Sequence, residues 1–407
     1  MKYVVILGDG MADFPIAALN GETPLERAYK PNIDALARVS EVGLCKTVPD
    51  GMPAGSDVAN LSVLGYDPAA YYTGRSPLEA ASIGIALKET DLTLRANLVT
   101  LSGGNSYETM TMTDYSAGEI SSAEAKILVE YLAERLGNDS LKLYAGVSYR
   151  HCLVVENGEN DTKFTPPHDI SGRKIADYLP KGAHAELYFD LMKRSFELLK
   201  DHPVNKKRVQ EGKNPATSLW FWGAGKKPKL DLFKEKFGKT GTMISAVDLL
   251  KGIGKLTGMN VPDLKGATGN YHTDFGEKAR TALQSLDSGS DFCYIHIEAP
   301  DECGHQGDTE HKIWSVEQID EKVVGFLKTE LEKRGEPFSL LVMPDHPTPI
   351  AVKTHVSDPV PYLLYRSGET QSGAALYSEK AAKATGIYVE RGCELMKKFL
   401  NVPLKNK

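Results

Sequence analysis

Three short apolar runs in this 407-residue chain end in acidic groups, and that repetition constrains the fold more than any other feature. Residues 3–7 run into Gly8-Asp9-Gly10, residues 291–297 into Glu298-Ala299-Pro300-Asp301, and residues 338–343 into Pro344-Asp345-His346. Runs that are apolar throughout, rather than alternating, suit strands buried on both faces of a parallel sheet. Parallel strands gather their loops at the carboxyl edge, where ligands bind in open α/β sheets. Three acid-tipped strands therefore point to one shared site. The amphipathic stretch 313–332 is expected to cover the sheet as helix. From about residue 90 to 239 the segments shorten and turns multiply, with Pro166-Pro167, Gly172 and Gly223-Ala224-Gly225. The expected architecture is an α/β core with a mainly parallel sheet between helices, discontinuous over 1–89 and 240–407, and a smaller inserted α+β domain over 90–239. Residues 405–407 are expected to fray.

Composition removes several function classes. Lys plus Arg number 48 against 54 Asp plus Glu, a net charge of −6. That gives no basic face for nucleic acid. Five scattered cysteines with no CxxC pair argue against a disulfide framework or a thiolate zinc site, and fit a reducing cytoplasm. No apolar run reaches the roughly 18 residues of a membrane helix, and the apolar stretch at the start is too short for a signal peptide. A cytoplasmic protein without membrane or nucleic-acid partners is expected, as a monomer or small homo-oligomer.

The chemistry-bearing residues cluster near those strand ends. Asp301 and His305 lie one helical turn apart, Asp345-His346 follows the third run, and His355 comes nine residues later. Carboxylate and imidazole without thiolate suit Mn²⁺, Zn²⁺ or Fe. Ser56, after Pro53-Ala54-Gly55, opens an apolar helical stretch. The plain reading makes it an N-cap, and the functional one a nucleophile whose phosphate a helix N-terminus would stabilise. Nucleotide motifs fail: Gly8-Asp9-Gly10 begins a GxGxxG but has Asp13 at the final position, Gly225-Lys226 lacks both outer Walker residues, and Ser56 is not in a GxSxG elbow.

Together, Asp9 in GDGM, Ser56 in PAGSDVAN, Asp301 and His305 in APDECGH, Asp345-His346 in MPDH and His355 in KTHVSDPVP resemble the alkaline-phosphatase superfamily. More narrowly, the chain resembles the archaeal-type, cofactor-independent phosphoglycerate mutases. The likeness extends over almost the whole chain, including GRSPLEA at 74–80 and RAN at 95–97. The resemblance implies an alkaline-phosphatase-like core and two divalent ions, Mn²⁺ foremost and Zn²⁺ next, with no organic cofactor. It assigns Asp301, His305 and His355 to one ion, and Asp9, Ser56, Asp345 and His346 to the other. Ser56 would carry the phosphoryl group between the two hydroxyls of a small phosphorylated metabolite, and the inserted domain would close over the site.

The chain departs from that pattern at residues 113–120, which read TDYSAGEI where these mutases carry an arginine-rich stretch. Arginine grips carboxylate and phosphate bidentately, so other groups must compensate. Arg150, Lys251, Asn97 and, more weakly, His168 are the candidates. The acids Asp114 and Glu119 would instead suit an ammonium group, as in a bacterial branch proposed to phosphorylate homoserine. A phosphate or sulfate ester hydrolase and a non-catalytic metal-bound scaffold complete the alternatives.

Overall fold

A computed structural model describes residues 1–402; the tail 405–407 lies outside the described residues. The chain divides into two compact units, one formed by residues 1–72 and those from 229 onward, the other by Thr73–Pro228. The expected boundaries at 90 and 239 are thus displaced, and packing explains both shifts. The helix Ser76–Ser82 packs on the strands Leu92–Ser102 and Ser218–Lys226, and its Glu79 pairs with Arg95 at 3.0 Å. At the other end, Phe233 stacks on Phe292 with ring centroids 4.7 Å apart, and the Tyr66 hydroxyl donates to the Asp231 carbonyl at 2.8 Å.

The first unit is built on a seven-stranded sheet. In chain order its strands are β1 (Lys2–Gly8), β2 (Glu41–Cys45), β3 (Gly241–Ile244), β4 (Phe292–Ile297), β5 (Phe338–Met343), β6 (Val360–Arg366) and β7 (Tyr388–Val389). Their spatial order is β3-β4-β1-β5-β6-β2-β7, and β6 alone runs against the rest. The three apolar runs of the sequence are the adjacent interior strands β4, β1 and β5. Val4, Ile6, Ile295, Leu340 and Val342 pack on one face against Phe275, Val316, Val323 and Leu327 from the covering helices. Burial of each such side chain contributes about 1.5–3 kcal/mol. Register then positions the site. Gly8 lies opposite Ile297 and Leu7 opposite Met343, so the acid-bearing loops leave the sheet side by side.

The stretch 313–332 is helical as expected, but with a wide π-type turn at Ile319–Gly325 joining Thr309–Gln318 to Phe326–Arg334. The Asp320 carboxylate on that turn accepts from the amides of Ile33 and Asn32 and so caps the start of the helix Pro31–Ala37.

The second unit is an antiparallel sheet of Thr111–Asp114, Leu92–Ser102, Arg150–Val155 and Leu141–Tyr144, with Ser218–Lys226 also paired to Leu92–Ser102. Leu94, Ala96 and Leu98 join the core that also holds Leu128, Leu132, Leu191 and Met192 from its two long helices, and the period-two alternation turns Arg95 and Asn97 the other way. Among the described residues no helix is long and apolar enough to cross a membrane.

Candidate active site

The elements that matter here are α1 (Ser56–Val63), α2 (Asp248–Leu256), α3 (Phe275–Asp287), α4 (Ala299–Gln306) and α5 (Thr309–Gln318). After β1 the chain turns at Gly10, whose φ of +61° favours glycine. A Cβ there would also lie 2.6 Å from Asp301 Oδ1 and 2.8 Å from Asp301 Cα, so the loop after β1 and α4 touch with no room for a side chain.

On α4, Asp301 and His305 share a face, as their spacing predicts. His305 Nε2 and His355 Nε2 each lie 3.3 Å from an Asp301 oxygen, and 2.9 Å from each other. The outer nitrogens donate to backbone carbonyls, His305 Nδ1 to Lys353 at 3.0 Å and His355 Nδ1 to Ala54 at 2.9 Å. In the neutral tautomers this leaves two Nε2 lone pairs facing one another beside a buried carboxylate. That donor set fits a cation. Burial opposes charging of His305, but Asp301 overrides it and lifts its pKa to about 9.

Beside it stands a second group. Asp9 Oδ1, Asp345 Oδ2 and Ser56 Oγ lie 3.5, 3.5 and 3.1 Å from His346 Nε2, and the His346 and His355 rings are 4.0 Å apart. Asp9, Asp345 and His346 offer ligand atoms all within 4.8 Å of one another, as do Asp301, His346 and His355. Asp9, Asp301 and Asp345 are all buried. Burial, then repulsion from Asp345, Asp301 and Glu298, pushes the Asp9 carboxyl well above its usual range. Its Oδ1 has no hydrogen-bond partner. A buried acceptor without a donor is costly, and a divalent ion satisfies it. The residues present therefore fit divalent-cation binding.

Ser56 is not the N-cap. Gly55 holds that position, and Ser56 is the first helical residue, its hydroxyl turned to His346 instead of to the amides of α1. The cap reading fails because a residue inside the first turn cannot reach back to its own helix's free amides as a cap does.

Several supporting residues escape the sequence reading. Asn60 donates to Asp345 Oδ2 at 2.7 Å and to the Ser56 carbonyl at 2.9 Å. His296 Nε2 meets Asp9 Oδ2 at 2.9 Å, and the Thr348 hydroxyl donates to Asp301 Oδ1. Fully buried Lys312 on α5 donates to Asp13 Oδ2, the Thr348 carbonyl and the Ala12 carbonyl at 2.7, 2.8 and 3.3 Å, tying together the loops after β1 and β5. His296, a polar residue inside an apolar strand, and Asn60, one turn beyond Ser56, were the available signals.

Of the remaining candidates, Lys251 lies on α2, in no ion pair among the described residues. The others belong to the second unit. Asn97 accepts from Trp222 Nε1 at 3.0 Å and donates to the Tyr115 carbonyl at 3.2 Å. The His168 ring lies against Trp222 and Tyr115, and exposed Arg150 has its guanidinium 5.4 Å from the Tyr149 ring. Arg75, Arg95 and Arg150 surround half-buried Glu79; desolvation works against its charge, yet the three guanidiniums hold its pKa below the usual range. Asp114 departs from expectation. Oδ1 accepts from the amide and hydroxyl of Ser116, and Oδ2 from Gly118 N and Asn214 Nδ2. Its acceptor capacity is spent on its own turn, leaving no free oxygen for a ligand's ammonium.

A mainly parallel α/β sheet with a carboxylate–imidazole cluster and a serine at its carboxyl edge defines an alkaline-phosphatase-like protein. The family model for 2,3-bisphosphoglycerate-independent phosphoglycerate mutase matches residues 37–205. A Methanosarcina barkeri protein of that name is 49% identical over 398 residues, 97% of this chain and 98% of its own length. A Geobacter sulfurreducens protein named as a probable mutase of this kind is 49% identical, over 98% of this chain and all of its own. Among solved structures, a Pyrococcus horikoshii protein superposes with a TM-score of 0.82 at 30% identity, covering 100% of this chain and 99% of its own. The cofactor-independent phosphoglycerate mutase of Thermoplasma acidophilum gives 0.66 at 26%, covering 99% and 100%. The chain belongs to the 2,3-bisphosphoglycerate-independent phosphoglycerate mutase family. These relatives lend no support to phosphorylation of homoserine.

Proposed function

We propose that this chain is a cytoplasmic, metal-dependent isomerase that interconverts 3-phosphoglycerate and 2-phosphoglycerate, passing the phosphoryl group through Ser56. The observation that carries the reading is the placement of Ser56 Oγ 3.1 Å from His346, within the Asp9–Asp345–His346 group, in a chain that matches its mutase relatives end to end. Asp301, His305 and His355 would hold one divalent ion, and Asp9, Asp345, His346 and Ser56 the other, with Mn²⁺ the expected species and Zn²⁺ its competitor. Bound there, such ions supply Lewis-acid stabilisation of the serine alkoxide and of charge on the phosphoryl oxygens.

The chain's own part follows from its geometry. Ser56 Oγ attacks phosphorus as the substrate's ester oxygen departs, giving a phosphoserine. The other glycerate hydroxyl then attacks that phosphoserine and frees Ser56. Ser56 begins α1, so the added negative charge lies near the positive end of that helix's dipole. Arg75, Arg95 and Arg150 gather three guanidiniums around the Glu79 carboxylate, and guanidinium is the group that grips carboxylate and phosphate bidentately. We assign the grip missing from residues 113–120 to that cluster, with Arg150 its exposed member, and Asn97, His168 and Lys251 as lesser contributors.

The test is one Mn²⁺-loaded preparation assayed in parallel with 3-phosphoglycerate and enolase coupling, and with homoserine and ATP. Formation of 2-phosphoglycerate, lost in Ser56→Ala while Mn²⁺ still binds, is expected. Phosphohomoserine without mutase turnover overturns the reading.

A further inference from the structure

We infer that one face of β4 orients both carboxylates of the Asp9–Asp345–His346 group, making His296 and Tyr294 positioning residues for that group and not for its neighbour. The inference rests on the metal-binding reading above. Tyr294 and His296 are two residues apart on a strand and so share a face, and both are fully buried.

Each starts a relay that ends on a different carboxylate. The Tyr294 hydroxyl donates to Asn60 Oδ1 at 2.6 Å, which fixes the amide so that Nδ2 donates to Asp345 Oδ2 at 2.7 Å. For His296 the proton can be traced. Ser245 Oγ accepts from the Val247 amide at 3.0 Å and lies 3.2 Å from His296 Nδ1, while on the ring's other side a carboxylate oxygen of Asp9 can only accept, so Nδ1 is the acceptor of the Ser245 hydrogen. The neutral ring then carries its proton on Nε2 and donates to Asp9 Oδ2 at 2.9 Å. That bond turns Oδ1, the oxygen without a donor, toward His346. Lys278 on α3, itself fully buried, donates to the His296 carbonyl at 2.9 Å and holds the end of the strand.

Among the described residues, neither Tyr294 nor His296 hydrogen-bonds to the neighbouring group. Asp301, His305 and His355 take their supporting hydrogen bonds from Thr348, Lys353 and Ala54. The relays are therefore selective, and loss of such an outer partner typically lowers metal affinity about 10–100-fold.

The experiment titrates metal-free full-length protein with Mn²⁺, following heat and the free-ion resonance signal, for wild type, His296→Leu, His296→Gln and Tyr294→Phe. Asp345→Asn identifies which binding event belongs to the group under test. His296→Leu and Tyr294→Phe are expected to weaken that event about 10–100-fold and to leave the other unchanged, which also shows that the fold is intact. His296→Gln, whose amide nitrogen can replace Nε2–H, is expected to restore most of the affinity. Unchanged affinity at both events, equal weakening of both, or a glutamine variant as weak as leucine overturns the inference while leaving the metal reading standing. Wild-type protein that binds no Mn²⁺ overturns the metal reading, and this inference with it.

Discussion

Lys312→Met isolates the internal ion pair that joins the two acid-bearing loops. The ammonium is fully buried, and its partner Asp13 is nearly so, with the pair 2.7 Å apart. Methionine preserves most of the stem's volume, so packing changes little. What is lost is the charge that compensates Asp13, together with a donor to two backbone carbonyls. Amides of Phe14 and Ile350 still reach Asp13, yet they carry no net charge. Removing one partner of a buried pair costs about 3–5 kcal/mol. For a unit of this size each kcal/mol lowers the melting temperature by roughly 2–4 °C, so a fall of about 6–20 °C is expected for the first unit by calorimetry. Asp13→Asn combined with Lys312→Met should recover a large part of that loss, because the stranded charge is gone. A single variant within about 1 kcal/mol of wild type, or a double variant as unstable as the sum of the singles, refutes the reasoning.

Other outcomes follow from the same geometry. Glu379 is half-buried, accepts from Asp13 N and Thr23 Oγ1, and has its pKa raised to about 7 chiefly by desolvation. A raised folded-state value means that its protonated form is favoured by folding: the contribution is full below the ordinary value of 4.5 and is lost as pH rises to 7. Glu379→Gln should therefore flatten stability across that window relative to wild type, read by denaturant unfolding at several pH values; parallel curves would contradict it. Gly10→Ala should cost about 1–3 kcal/mol from its positive φ alone and weaken Mn²⁺ binding through the contact with Asp301, measurable by calorimetry. Mn²⁺ at about 100 times its dissociation constant should stabilise the metal-free chain by about 2.7 kcal/mol per site, and chelator should reverse the shift. Arg150→Ala should raise KM for 3-phosphoglycerate about tenfold or more with little change in melting temperature, since its side chain is exposed.

The sheet and the ligand cluster were legible because they rest on strong local signals. Apolar runs without alternation suit buried interior strands, and acids that directly follow such strands emerge at their carboxyl ends. The Asp301–His305 pair depends on helical spacing alone. What the sequence concealed is contact across long separations. Asn60 meets Asp345, His296 meets Asp9, and Lys312 bridges Ala12 to Thr348, each through bonds between segments far apart in the chain. Ser56 was misplaced by one residue, since serine's strong preference for capping hides a helix that is capped by Gly55. The unit boundary was missed because GRSPLEA reads as an ordinary helix, while its Glu79 answers to Arg95 on a strand of the second unit. Asp114 looked available because sequence gives no view of the four donors that surround it.

The position of β1 also sets the order of events during synthesis. It leaves the ribosome long before its partners β4 and β5, which begin at Phe292 and Phe338. At about 5–20 residues per second, the nascent strand waits roughly 15–60 s for β4 and still longer for β5. Thr73–Pro228, by contrast, is contiguous and fully translated well before then. The second unit is thus complete while the strand bearing Asp9 remains an unpaired apolar segment. A chaperone that shields residues 1–10 until β4 emerges should raise the yield of soluble protein more than any change within Thr73–Pro228, and slower translation, which lengthens the wait, should lower it.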